Sequence, residues 1–87
     1  MNADVKKAVR AFLVENFMFR GEIDKLPDSA SLVKSGILDS VGILLLISFM
    51  EDTYDMKVSD EEVEPENLES VDNITAFIER KSRGEGS

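Results

Sequence analysis

The chain has 87 residues, with 18 acidic and 10 basic side chains, a formal net charge of −8, and neither cysteine nor histidine. A chain this short forms one small domain that buries about 60–65% of its unfolded surface, with no disulfide to supplement the core. Without thiols or imidazoles it lacks the usual zinc and copper ligands and the commonest nucleophile–base pairs, so self-contained hydrolytic catalysis is not expected. The acidic charge disfavours nucleic acid and anionic lipid and favours protein partners with basic docking surfaces.

The opening residues, Met1 to Lys7, have no apolar stretch of the kind a secretion signal needs, and no run is long enough to span a bilayer. The reading is a cytoplasmic, monomeric protein with no membrane insertion. On that reading the glycosylation pattern Asn73-Ile74-Thr75 is accidental.

The first helix is expected from about Ala3 to Phe17, with Asn2 as its cap. Val5, Ala8, Val9, Phe12, Leu13 and Phe17 fall on one helical face. Gly21 ends the pattern. Residues 21–39 form a connection long enough to need pinning, which Leu26, Leu32, Ile37 and Leu38 can supply by folding onto the core. One turn is expected at Ser31–Lys34, and Gly36 is expected to take a backbone angle costly to other residues.

A second helix follows from about Ser40 to Tyr54. Ile43, Leu46, Ile47, Met50 and Tyr54 form its core face. Val41, Leu44, Leu45 and Ser48 form a second, mostly apolar face, which is either a docking patch or a surface covered by the long connection. Phe49, Met50 and Phe77 are placed to line a cleft or to fill a packed core.

Beyond it, Ser59 and Glu62 fit a capping box for a turn at Asp60–Val63, and Pro65 stops that turn. Glu66-Asn67-Leu68 makes another short turn, and Ser70 caps a last helix that buries Val71, Ile74, Phe77 and Ile78. Residues 1–81 make the domain and 82–87 a frayed tail. The whole reads as an all-α, small antiparallel four-helix bundle, three longer helices and one short, with a long loop between the first two.

Charge is polarised along the chain. Lys6, Lys7, Arg10 and Arg20 lie in the first segment, whereas Glu51 to Asp72 holds ten acids against Lys57 alone. That acidic run, Glu51, Glu61 and Glu62 among it, is either a solvated face or a field that steers basic partners; Met56 and Val63 would add apolar contact within it. No segment has the spaced oxygen ligands and central glycine of a calcium-binding loop.

The stretch Gly36-Ile37-Leu38-Asp39-Ser40-Val41-Gly42 carries the most chemistry. It puts a serine hydroxyl at the positive end of an apolar helix, where a phosphate ester is stabilised. The plain alternative is that Ser40 only caps the helix.

Gly36, Leu38, Asp39, Ser40 and Gly42, with Ser31-Leu32, Glu51-Asp52-Thr53-Tyr54, Pro65-Glu66-Asn67-Leu68 and Ala76-Phe77-Ile78-Glu79-Arg80, resemble the discrete acyl carrier proteins and the D-alanyl carrier proteins. The resemblance implies that a phosphopantetheinyl transferase joins 4'-phosphopantetheine to Ser40, with Asp39 helping to place its magnesium ion. The arm would then hold acyl or aminoacyl groups as thioesters for loading and chain-processing enzymes, which read Val41, Leu44 and their neighbours. Two departures shape the expectation. Leu45 stands where relatives commonly place a glutamate, implying a more apolar interface. Ile37-Leu38 stands where peptidyl carriers usually show Gly-Gly, which points away from that branch. The competing reading is an adaptor of the same fold that is never modified.

Overall fold

In a computed structural model, which describes residues 2–17 and 25–82, the chain folds into α-helices α1 (Asn2–Phe17), α2 (Ser40–Tyr54), α3 (Pro65–Leu68) and α4 (Val71–Ser82), with a 3-10 turn at Asp60–Glu62. All regular structure among the described residues is helical. Arg20, Gly21 and most of the expected tail lie outside the described residues.

The helical periodicities become the core. Val5, Val9, Phe12 and Leu13 of α1 meet Leu46 and Met50 of α2 and Val71, Ile74, Phe77 and Ile78 of α4 in one buried cluster. Met50 and Phe77 therefore fill the interior. Contacts join α1 and α2: Phe17 lies against Gly42, and Phe12 stacks on Phe49 with ring centroids 4.7 Å apart. Phe49 also meets Tyr54 edge-on at 6.1 Å, giving an aromatic seam along the two helices.

The connection before α2 is pinned as its leucines require. Leu32 and Leu38 are buried, and Leu26 and Ile37 pack against the cluster. A turn forms where Ser35 N–H reaches the Ser31 carbonyl at 3.1 Å and Lys34 N–H reaches Ser31 Oγ at 3.0 Å. Gly36 follows at φ +84°, in the left-handed region where a side chain is disfavoured.

Polar ties then fasten this connection to both neighbours. Leu32 N–H donates to the Glu69 carbonyl at 2.7 Å, and Asp72 N–H donates to the Asp28 carbonyl at 3.0 Å. Arg10 holds Asp28 Oδ1 through Nε at 2.9 Å and Nη2 at 2.6 Å, and also reaches the Leu26 carbonyl. Lys6 bridges Asp28 and Asp72 at 3.3 and 3.0 Å. The Arg10 guanidinium holds the Asp28 carboxyl below its ordinary range, and hydrogen bonds to Asp72 and Asp28 raise the Lys6 ammonium.

Two local details differ from expectation. Asn2 lies inside α1, so the helix begins one residue earlier than its periodicity suggested. Pro65 opens α3 as well as ending the turn before it, because a proline lacks only a donor that a first-turn residue would leave unpaired. Helix α2 ends on Asp55 at φ 51°, a left-handed cap made by an aspartate in place of the usual glycine. Ser70 caps α4 as expected, its Oγ accepting from Asn73 N–H at 3.1 Å, while Asn73 Nδ2 donates to the Glu66 carbonyl at 2.7 Å. The sequon asparagine is thus a lock between α3 and α4.

Candidate functional site

The site is built at the first turn of α2. Ile43 N–H donates to the Asp39 carbonyl at 2.9 Å, the first bond of the helical ladder, which makes Asp39 the capping residue and Ser40 the first helical one. The Asp39 side chain completes the cap by accepting from Gly42 N–H at 2.7 Å. This differs from the plain reading of Ser40 as the cap. Two adjacent cap-forming residues compete for that place, and the aspartate takes it.

The Ser40 hydroxyl is therefore not needed to hold the helix. Ser40 is exposed, and no hydrogen bond of its Oγ is seen among the described residues. The N–H groups of Ser40 and Val41 have no carbonyl inside α2 to bond, because the ladder starts at Ile43. A hydroxyl beside two backbone donors that the helical ladder leaves unbonded, at a helix's positive end, suits a phosphate ester. Asp39, also exposed, spends one carboxylate oxygen on the cap; its second makes no hydrogen bond among the described residues and suits a hard cation.

Beside Ser40 the outer face of α2 stays open. Val41 is 64% exposed, Leu44 65% and Leu45 43%, and Ser48 continues the face one turn on. Among the described residues, the long connection (25–39) leaves this surface exposed. Residues 41, 44, 45 and 48 follow helical spacing, so a single partner surface can meet them together.

The acidic segment is less uniform than its sequence. Glu61 is exposed on the 3-10 turn, away from α2 in the chain, and Val63 is half-buried against the core. Met56, expected to offer apolar contact to a partner, is 7% exposed and belongs to the core. The chain leaves α2 and folds back over it there, turning an apparently loop-borne methionine inward.

Glu51 accepts from Val58 N–H at 2.9 Å, fixing that same return. Glu62 accepts from Ser59 N–H at 3.0 Å, and Lys81 Nζ lies 3.0 Å from each of its carboxylate oxygens. The Ser59–Glu62 capping box forms. The Ser59 backbone donor, aided by Lys81, lowers the Glu62 carboxyl below its ordinary range. Glu51 and Glu62, both expected to face partners, thus serve the fold.

One contact had only a faint sequence signal. Gly42 is buried in the first turn of α2, where a glycine weakens a helix by about 1 kcal/mol relative to alanine. A Cβ there would lie 3.0 Å from Cε1 and from Cζ of Phe17 and 3.2 Å from Asp39 Oδ1. An unfavourable glycine inside an apolar helix was the signal; its partner, 25 positions earlier in the chain, left none.

Fold and site together define a small helical domain that offers a free hydroxyl at a helix tip with an apolar face beside it. Sequence comparison gives that arrangement a family. The chain is 30% identical over 76 residues to an acyl carrier protein of Akkermansia muciniphila, covering 87% of this chain and 90% of the relative. It is 30% identical over 60 residues to an acyl carrier protein of Bdellovibrio bacteriovorus, covering 69% and 74%. No family model matches the sequence. The chain belongs to the acyl carrier protein family, and no helix among the described residues is long and apolar enough to cross a membrane.

Proposed function

We propose that this protein is a carrier that holds acyl or aminoacyl intermediates on a 4'-phosphopantetheine arm at Ser40 and delivers them to the enzymes of a biosynthetic pathway. One observation carries the reading: Asp39 supplies the cap of α2, so the exposed Ser40 hydroxyl is spared from structural duty. That same observation weakens the adaptor reading, in which Ser40 persists only as a cap.

In the modification, Ser40 Oγ attacks the phosphorus that bears the pantetheine in coenzyme A. A phosphodiester forms, the pyrophosphate bond breaks, 3',5'-ADP leaves, and the hydroxyl proton passes to a base of the transferase. The Ser40 and Val41 N–H groups at the helix tip would favour the new negative charge, and Asp39 would help hold the magnesium ion of the transfer. The arm, once attached, supplies the thiol that the cysteine-free polypeptide lacks. Tethering raises the local concentration of cargo at whichever enzyme is docked.

Partners meet Val41, Leu44, Leu45 and Ser48, and the exposed acids steer basic surfaces toward them. The paired contacts of Phe17 with Gly42 and Phe12 with Phe49 support an antiparallel course for α1 and α2. On this reading the protein works in the cytoplasm, as a monomer that docks one enzyme at a time.

The test is intact mass. Incubated with coenzyme A, magnesium and a promiscuous phosphopantetheinyl transferase, the wild-type chain gains one phosphopantetheine and Ser40→Ala gains none. An unchanged wild-type mass supports the adaptor instead.

A further inference from the structure

Gly42 invites a question that the attachment chemistry leaves open. Helix α2 keeps a glycine in its first turn despite the conformational penalty, and the position is buried. The Phe17 ring edge occupies the space a side chain would take, with Cε1 and Cζ both 3.0 Å from the ideal Cβ position. That separation is tighter than ordinary van der Waals contact, so an alanine there requires the ring to give way by a few tenths of an ångström. The ring is itself held from behind. Phe17 meets Phe12 edge-on with centroids 6.1 Å apart, and Phe12 is stacked on Phe49 further along α2.

The backbone N–H of Gly42 is also the donor that the Asp39 cap binds at 2.7 Å. Asp39 Oδ1 lies on another side of the same vacant space, 3.2 Å from the ideal Cβ. Whatever moves Gly42 therefore moves the cap and, two residues before it, Ser40.

We propose that Phe17, the last described residue of α1, is a positioning residue for the modification of Ser40: its ring seats in the slot left by Gly42 and fixes the first turn of α2 against α1. The proposal rests on the carrier reading and adds a determinant outside the attachment sequence itself. Phe17 acts through Gly42 and the Asp39 cap, so it need not touch the transferase. A slot of this kind makes a specific demand: a larger residue at 42 is tolerated only if the residue at 17 shrinks.

The experiment compares wild type, Gly42→Ala, Phe17→Leu and the double variant. Each is first checked for helicity and melting temperature, then assayed for kcat and KM of phosphopantetheine transfer with the carrier as varied substrate. Amide hydrogen exchange at Val41, Gly42 and Ile43 is read in parallel.

Gly42→Ala should lower kcat/KM about tenfold and speed exchange at these amides, a shift equal to about 1.4 kcal/mol. Phe17→Leu in that background should bring kcat/KM back to within about threefold of wild type and restore protection, although it removes packing. A purely structural role predicts that melting temperature alone follows the fit of the pair, falling in Gly42→Ala and recovering in the double variant, while kcat/KM of the folded variants stays at the wild-type value. Gly42→Ala modified at the wild-type rate, or a double variant no better than Gly42→Ala, overturns the proposal while leaving the carrier reading intact. A wild-type chain that never gains the arm removes the carrier reading and this one together.

Discussion

Leu44 and Leu46 stand two residues apart on α2, yet Leu46 is fully buried and Leu44 is 65% exposed. Leu46 and Met50 point into the cluster formed with α1 and α4, whereas Val41, Leu44 and Leu45 point to solvent. Composition does not separate the two sides, because both are aliphatic. Their difference is angular, about 200° between positions two apart on a helix. Each apolar side chain left in water forgoes the roughly 25 cal/mol per Å² that burial returns, so three in helical register on so small a domain are what the proposed docking of partners would explain.

The largest test of this contrast is a pair of truncations. Leu46→Ala should cost about 2–5 kcal/mol, the range for emptying a closed core site. Leu44→Ala should stay within about 0.5 kcal/mol, since the side chain is 65% exposed. Urea denaturation of the two variants measures both values. Equal losses would mean that the outer face of α2 is part of the core after all, and the docking surface would have to be sought elsewhere.

The same division runs through the charged groups, and it shows what the sequence could and could not reveal. Helix α2, the left-handed Gly36, the Ser70 cap and the buried Leu32 and Leu38 were legible because periodicity and turn chemistry are local. The burial of Met56 was not, because no periodic pattern surrounds it and its burial depends on the return of the chain over α2. Nor could charge counting tell which acids face solvent. Arg10 and Asp28 are 18 positions apart and Glu62 and Lys81 are 19, and such pairings are set by the tertiary fold alone. At the proposed site, the helical register that places Val41, Leu44 and Leu45 on one face beside Ser40 was readable. The choice of Asp39 over Ser40 as cap was not, since both residue types cap helices well and sit side by side.

Asp28 tests the buried side of that charge division. Its carboxylate ties the connection to α1 through Arg10 and Lys6, but the side chain is 33% exposed, so solvent screening limits its value. Asp28→Asn should cost about 1 kcal/mol at pH 7. The native carboxyl is lowered below its ordinary range by Arg10, so its stabilisation is complete above the unfolded value of about 4. It is lost as pH falls from there through the lowered native value. Melting curves of wild type and variant should therefore differ at pH 7 and converge as the pH is lowered toward 3. A gap that persists at low pH would show that shape, and not charge, makes the contact.

Two hydroxyls refine the contrast at its smallest scale. Ser48 lies on the exposed face of α2, where water satisfies it, whereas Thr75 of α4 is 3% exposed and its Oγ1 finds no hydrogen-bond partner among the described residues. A buried hydroxyl without a partner loses its hydration and gains nothing in return. Valine keeps the β-branched shape of threonine and has nearly the same helix propensity, so the exchange isolates the polar atom. Thr75→Val should raise stability by about 0.5–1 kcal/mol, while Ser48→Ala, scored by the same denaturation midpoint, should move it by less than about 0.5 kcal/mol. A loss of stability in Thr75→Val would mean that the hydroxyl is satisfied in solution by a group the fold does not display. The interior beside α4 would then be wetter than the packing of Ile74, Phe77 and Ile78 implies.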